Sequence, residues 1–94
     1  MTEIPSTRAR AVITNKRGLH ARASAKFVET AARFQAEVSV TKGDTTVSGR
    51  SIMGLMMLAA SMGSEIELSA TGPDADEALA AVLALVNAKF HEDS

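Results

Sequence analysis

The chain has 94 residues, which is the size of one domain rather than two. It contains no cysteine, which excludes disulfides and thiolate metal sites and is typical of a reducing compartment. Ten basic and eleven acidic residues leave a net charge of −1, with only three aromatic residues, and this balance argues against a nucleic-acid-binding protein. We therefore expect a single cytoplasmic domain over residues 1–94 that acts as a monomer without nucleic-acid or membrane partners.

The chain begins with a stretch that lacks the apolar run of an export signal. We predict that residues 1–7 form a loose tail. Residues 8–14 alternate between apolar and polar side chains, which predicts a half-buried strand. Its inward residues are Ala9, Ala11 and Ile13.

The segment GLHARASAKF, from Gly18 to Phe27, is predicted to be a loop that runs into the first helix. Gly18 permits a backbone turn that other residues resist. Polar and apolar residues then recur on opposite faces at helical spacing. The polar face carries Arg22, Lys26, Glu29 and Arg33, and the apolar face carries Phe27, Val28, Ala31, Ala32 and Phe34. We therefore predict a helix to about Phe34, with His20 at or just before its first turn.

The position of His20 at the start of a helix suits it to accept a phosphoryl group. The first amides of a helix have no intrahelical partner, and with the helix dipole they favour anions, phosphate included. The same field favours a neutral imidazole, whose lone pair can attack phosphorus. A phosphoryl group there would lie against the helix-start amides, at Ala21 and Ala23, and the guanidinium of Arg22. Nearby Lys16 and Arg17 suit an anionic group or an acidic partner. The alternative is a histidine that is merely packed or exposed.

A hairpin is predicted after the first helix. Residues 36–41 alternate, Lys42-Gly43-Asp44 is a turn signal, and Thr45 to Ser48 form a short third strand. The inward residues of the first strand of this hairpin are Ala36, Val38 and Val40.

A short, almost wholly apolar helix is predicted to follow, over Ile52 to Ala60. Ser51 is a residue type that favours the N-cap. We expect one stripe to face the core and the rest to form an adaptable exposed patch. The inward residues are Leu55, Leu58 and Ala59, and the patch residues are Ile52, Met53 and Met56. The alternative is that the methionines fill gaps in the core.

A strand and a helix are predicted for the last part of the chain. Glu65 to Thr71 alternate, and Gly72-Pro73 ends that strand. Asp74 and Glu77 have the spacing of a capping box. One buried helical stripe then follows, made of Leu79, Val82, Leu83, Val86 and Phe90.

The predicted order is therefore β-α-β-β-α-β-α. Each of the four short strands has one apolar face, and three helices can bury the apolar face of the sheet that the strands form. The predicted fold is an α/β (α+β) open-faced sandwich, with a four-stranded antiparallel sheet and three helices on one face.

Three segments resemble the family of the histidine-containing phosphocarrier protein HPr of the bacterial phosphoenolpyruvate-dependent phosphotransferase system. They are NKRGLHARASAKF from Asn15, GRSIMGLMML from Gly49 and TGPDADEAL from Thr71. They occur in the family's order, and the resemblance extends over nearly the whole chain. One residue departs from the family pattern, since Ala23 stands where His-x-Arg-Pro has proline.

The resemblance implies a stoichiometric carrier rather than an enzyme. His20 would accept a phosphoryl group on Nδ1 from enzyme I and pass it to a histidine of an enzyme IIA protein, while Arg22 neutralises its charge. Ser51 matches a serine that a dedicated kinase, the HPr kinase/phosphorylase, modifies in many bacteria. Ile52, Met53 and Met56, with Lys16 and Arg17, would contact partners. The resemblance allows a sugar-transport branch and a nitrogen-related regulatory branch. Asn15-Lys16 before the glycine and Ala21 after His20 favour the second branch, whereas the Ser51 segment is closer to carriers under serine-kinase control.

Two other classes of function stay open. One is a small-molecule-binding regulatory domain of similar shape, and the other is a plain interaction module that uses only the methionine patch. No second histidine or carboxylate stands at metal-ligand spacing, and no glycine-rich nucleotide loop is present. We therefore expect neither a metal nor a cofactor.

Overall fold

The computed structural model describes residues 5–94 and contains the predicted order of elements. The strands are β1 (Ser6–Val12), β2 (Glu37–Lys42), β3 (Thr45–Ser48) and β4 (Glu65–Thr71). The helices are α1 (Ala21–Ala31), α2 (Ile52–Met57) and α3 (Ala75–Asn87), and a short turn, Lys89–His91, follows α3. The predicted fold class is confirmed.

The four strands form one antiparallel sheet in the order β1-β4-β2-β3. On one face the register places apolar residues side by side, with Leu68 of β4 between Ala9 of β1 and Val40 of β2. The other face carries polar side chains such as Arg10, whose guanidinium lies 3.3 Å from the carboxylate of Glu65. Because only the first face is apolar, the helices pack against that face alone.

The prediction of a loose tail over residues 1–7 is wrong for its last two residues, where β1 begins. Ser6 and Thr7 belong to the strand and pair with Thr71 and Ala70 of β4. The reason is that β4 extends to Thr71 and offers free backbone groups to its neighbour. The first four residues of the predicted tail lie outside the described part of the chain.

The core lies between the sheet and the helices, and its largest side chains include Phe27 of α1 and Phe90 beyond α3. Leu55 and Leu58 face inward as predicted. Ala59, however, is exposed, which corrects its predicted place on the inward stripe. The helix ends at Met57, and Ala59 adopts a left-handed backbone with φ 52°, so the helical spacing no longer applies there.

The prediction of a capping box at Asp74 is wrong. Its side chain does not cap α3. Its two carboxylate oxygens instead accept hydrogen bonds from the backbone N–H groups of Gln35, at 2.9 Å, and Ala36, at 2.7 Å. These bonds, that from Gln35 foremost, lower the pKa of Asp74 below its ordinary value of 3.8. Asp74 therefore ties the start of α3 to the loop between α1 and β2.

The ionised form of Asp74 should stabilise the fold. Because its pKa is lower in the folded than in the unfolded chain, its contribution is present above pH 3.8 and is lost as the pH falls through the folded pKa. We expect Asp74→Asn to lower the midpoint of urea denaturation at neutral pH, and the difference from the unmodified chain to shrink on acidification. Asp76→Asn, on the first turn of the same helix, is the control. Equal midpoints for the two variants would contradict this role.

Candidate functional site

The loop before α1 is held close to the segment that follows α2. The N–H of Leu19 donates to the carbonyl of Ala60 at 2.9 Å. Gly18 has φ +62°, and a Cβ on it would lie only 2.2 Å from the same carbonyl oxygen. A glycine is therefore required immediately before the site, for both its left-handed conformation and its lack of a side chain.

His20 is the N-cap of α1, as predicted, and its carbonyl accepts the first helical hydrogen bond from Ser24 at 2.9 Å. The imidazole does not itself cap the helix. The side chain is 23% exposed, and its Nε2 lies 2.5 Å from a carboxylate oxygen of Glu92. His20 is thus held against the last residues of the chain and is still open to solvent.

Glu92 and Asn15 are the two site residues that the sequence analysis missed. Asn15 is completely buried, and its Nδ2 donates to the second carboxylate oxygen of Glu92 at 3.0 Å and to the carbonyl of Gly18 at 2.9 Å. Asn15 Oδ1 has no hydrogen-bond partner in the part of the chain that the structure describes. The available signal for Glu92 was its place two residues after Phe90, the last residue of the predicted buried stripe.

The pKa of Glu92 results from opposing effects. Burial alone would raise it, but the hydrogen bonds from Asn15 and His20, with the charge of Lys26, outweigh burial and lower the pKa below its ordinary value of 4.5. Glu92 is therefore a carboxylate at neutral pH.

The turn after α3 directs the chain back to His20. Lys89, Phe90 and His91 all have left-handed backbones, with φ of 56°, 55° and 61°. Phe90 is fully buried, and its carbonyl accepts a hydrogen bond from Lys26 Nζ of α1 at 2.7 Å. The buried ring and the lysine contact together fix the position from which Glu92 reaches the imidazole.

A cleft of about 440 Å³ opens beside His20. Its basic side chains are Lys16, Arg17, Arg22 and Lys26, and residues 91–94 form another part of its wall. The structure thus gathers the predicted basic residues Lys16, Arg17 and Arg22 beside His20. Such a cleft attracts an anionic group by charge, next to the positive end of a helix.

The two helix-start alanines differ in accessibility. Ala21 is exposed. Ala23 is 0% exposed and belongs to the core, so in this geometry its amide is covered. This corrects the expectation that Ala23 offers an amide to a bound group, since the inward face of α1 begins at this residue.

The remaining predicted residues lie on α2, outside the lining of the cleft. Ser51 is the N-cap of that helix, and its Oγ accepts a hydrogen bond from the N–H of Gly54 at 2.9 Å. The predicted patch is exposed, and two further methionines in this part of the chain are exposed as well. The exposed fractions are 40% for Ile52, 71% for Met53, 41% for Met56, 77% for Met57 and 59% for Met62.

Residues 5–94 contain neither a cluster of metal ligands nor a helix that could cross a bilayer. Within residues 5–94, histidine, aspartate and glutamate side chains form no group of three or more that could hold a metal ion. None of the helices in that range has the length and apolar character needed to cross a bilayer.

Comparison with known proteins adds a family match. Residues 7–88 match a family model described as the PTS HPr component phosphorylation site. The chain is 58% identical over 80 residues to the phosphocarrier protein HPr of Neisseria meningitidis, covering 85% of this chain and 90% of that protein. It is 49% identical over 82 residues to the phosphocarrier protein NPr of Shewanella violacea, and the match covers 87% of this chain and 90% of that protein.

A solved structure, HPr-C-His from Thermoanaerobacter tengcongensis, is similar in fold. It superimposes with a TM-score of 0.89 at 42% identity, covering 94% of this chain and 99% of that one. The similarity therefore extends over both the sheet and the helices.

Gly18 provides a test of how the site is positioned. We expect Gly18→Ala to destabilise the fold by about 3 kcal/mol or more, because a left-handed alanine costs about 1 to 2 kcal/mol and the clash with Ala60 adds to it. Gly43→Ala is a matched control, since Gly43 has φ +60° with no atom near its Cβ position, and we expect about 1 to 2 kcal/mol there. Urea denaturation measures both. Equal losses would show that the contact with Ala60 is unimportant.

Proposed function

The chain belongs to the HPr family of phosphocarrier proteins, and on that premise we propose that His20 carries the phosphoryl group. In this proposal Nδ1 of His20 accepts the group from enzyme I, which is charged by phosphoenolpyruvate, and delivers it to a histidine of an enzyme IIA protein. The observation that carries the proposal is the placement of a half-buried histidine at the start of α1 beside a basic cleft. The chain would act as a stoichiometric carrier.

The cleft would stabilise the transferred group by charge. Arg22 follows the helix start by one residue and lines the cleft, so its guanidinium can neutralise phosphoryl oxygens. The exposed start of α1, at Ala21, supports an additional contribution from the helix dipole. Lys16 and Arg17 line the same cleft and would also attract an acidic partner surface.

Partner docking is proposed for the methionine patch, defined as Ile52, Met53 and Met56 with Met57 and Met62. Its exposure supports this use, because adjoining apolar side chains in water are typical of contact surfaces. Methionine adapts its shape to different partners, which suits a carrier that must bind both enzyme I and an enzyme IIA protein.

Regulation at Ser51 is a further part of the proposal. The residue caps α2 next to the patch, and a phosphate there would add about −1.5 to −2 charge units beside the docking surface. An acidic partner would then be repelled. The modifying enzyme would be an HPr kinase/phosphorylase.

The cleft favours a carrier over a small-molecule-binding regulatory domain, because such pockets are mostly apolar, whereas this one is lined mainly by charged side chains, four of them basic. The relatives include both HPr and NPr proteins, so sugar uptake and nitrogen-related regulation are both compatible with the proposal. A cytoplasmic location and a monomeric state remain predictions.

The phosphoryl acceptor can be identified by mutation. We expect His20→Ala to abolish phosphate uptake from enzyme I and phosphoenolpyruvate, because it removes the attacking nitrogen. His91→Ala is the matched control, since His91 is the other histidine of the cleft and we expect that variant to take up phosphate. Mass spectrometry detects the acid-labile, base-stable phosphate. Uptake by His20→Ala would place the acceptor elsewhere.

The docking surface can be tested separately. We expect Met53→Glu to weaken binding to enzyme I about tenfold, because it places a charge inside an apolar contact. Val12→Glu is the control, since Val12 is also an exposed apolar residue, at 45%, but lies at the end of β1. Calorimetry measures both affinities. If both variants bind enzyme I as tightly as the unmodified chain does, the patch is not the docking surface.

A further inference from the structure

We propose that Glu92 is a positioning residue for His20. Its carboxylate accepts a hydrogen bond from Nε2–H and holds the neutral imidazole in the tautomer whose lone pair is on Nδ1. The inference rests on the proposed function, because it concerns the nitrogen that would carry the phosphoryl group. The family match ends at residue 88, four residues before Glu92.

The contact itself determines where the ring proton is. Glu92 Oε2 lies 2.5 Å from Nε2 of His20, and the two side chains are only 15% and 23% exposed. An ionised carboxylate can only accept hydrogen bonds, so Nε2 must carry the proton. In a neutral ring Nδ1 is then the unprotonated nitrogen and the nucleophile. Since Glu92 contacts Nε2, it leaves Nδ1 unoccupied.

Asn15 holds the carboxylate in this orientation. It donates to the second oxygen of Glu92 and, through the same nitrogen, to the carbonyl of Gly18. The loop before α1, the end of the chain and the histidine are therefore joined through one buried amide. A group that is oriented by a second partner holds a ring nitrogen better than a single flexible contact does.

The backbone around Glu92 indicates that the contact is built into the fold. Three consecutive non-glycine residues, Lys89 to His91, have left-handed backbones, which are unfavourable for L-residues. Such conformations persist where the surrounding structure imposes them, and they concentrate at functional sites. Here the buried ring of Phe90 and the hydrogen bond from Lys26 impose them.

The transfer step is balanced with this geometry. The Nδ1 lone pair forms the bond to phosphorus, the bond from phosphorus to the donor atom of enzyme I breaks, and its electron pair stays on the donor atom. No proton leaves His20, because Nε2 keeps its hydrogen. The phosphorylated ring is then a cation, and the Glu92 carboxylate pairs with it. Transfer to the acceptor reverses these changes and restores the same neutral tautomer.

The test compares Glu92→Ala and Glu92→Gln with the unmodified full-length chain. Ring ¹⁵N chemical shifts of His20 report the tautomer, and a single-turnover assay with enzyme I and phosphoenolpyruvate gives the rate of phosphoryl uptake. We expect Glu92→Ala to mix the tautomers and slow uptake about tenfold, the scale of one charge-assisted hydrogen bond. Glu92→Gln keeps an acceptor oxygen without the charge. We therefore expect it to keep the tautomer and to take up phosphate at a rate between those of the unmodified chain and Glu92→Ala.

Asp44→Asn is the control, because it removes one acidic charge at an exposed turn outside the cleft. We expect at most about a twofold change in its rate, as for a charge at a solvated position. A Glu92→Ala variant with unchanged tautomer and an equal or faster rate would overturn the proposal. If the unmodified chain takes up no phosphate at all, the proposed function fails, and the ¹⁵N shifts still decide whether Glu92 fixes the ring.

Discussion

The close approach of the loop before α1 to the segment after α2 is the constraint on which the site depends. Leu19 donates to the carbonyl of Ala60, and Gly18 lies against that carbonyl without a side chain. This contact fixes where α1 begins, and therefore where His20 and the exposed first residue of the helix, Ala21, lie. A loop that stood further away would move the histidine relative to both the cleft and the end of the chain.

The electrostatics of the site combine many cations with one well-held carboxylate. Lys16, Arg17, Arg22 and Lys26 line the cleft, and they would attract an anionic group from solution. Glu92 and Asp93 also line the cleft, but its four basic side chains outnumber these two acidic ones, and Glu92 is held by Asn15 and His20. The cations are thereby left to act on a phosphoryl group, while the carboxylate acts on the ring that would carry it.

The fold keeps these polar contacts apart from its apolar surfaces. One face of the sheet and the inward sides of the helices form the core, whereas the methionine patch remains in water. A helix of six residues, Ile52–Met57, has too little surface to bury all its apolar side chains against the rest of the fold. The patch is therefore a direct consequence of an apolar sequence on a short helix, and it is available for a partner without any change in the core.

The sequence by itself determined the order of the elements, the inward residues of the strands and the N-cap positions of His20 and Ser51. These follow from local periodicity, which reports the face on which a side chain lies. Only the tertiary structure decided that Glu92 meets His20, 72 residues away, and that Asp74 binds the amides of Gln35 and Ala36 instead of capping α3. It also decided that Ser6 and Thr7 join β1 and that the amide of Ala23 is covered. The physical reason is that such contacts join segments that are distant along the chain, and their partners are set by packing and by the left-handed turn at Phe90, which no spacing of residues encodes.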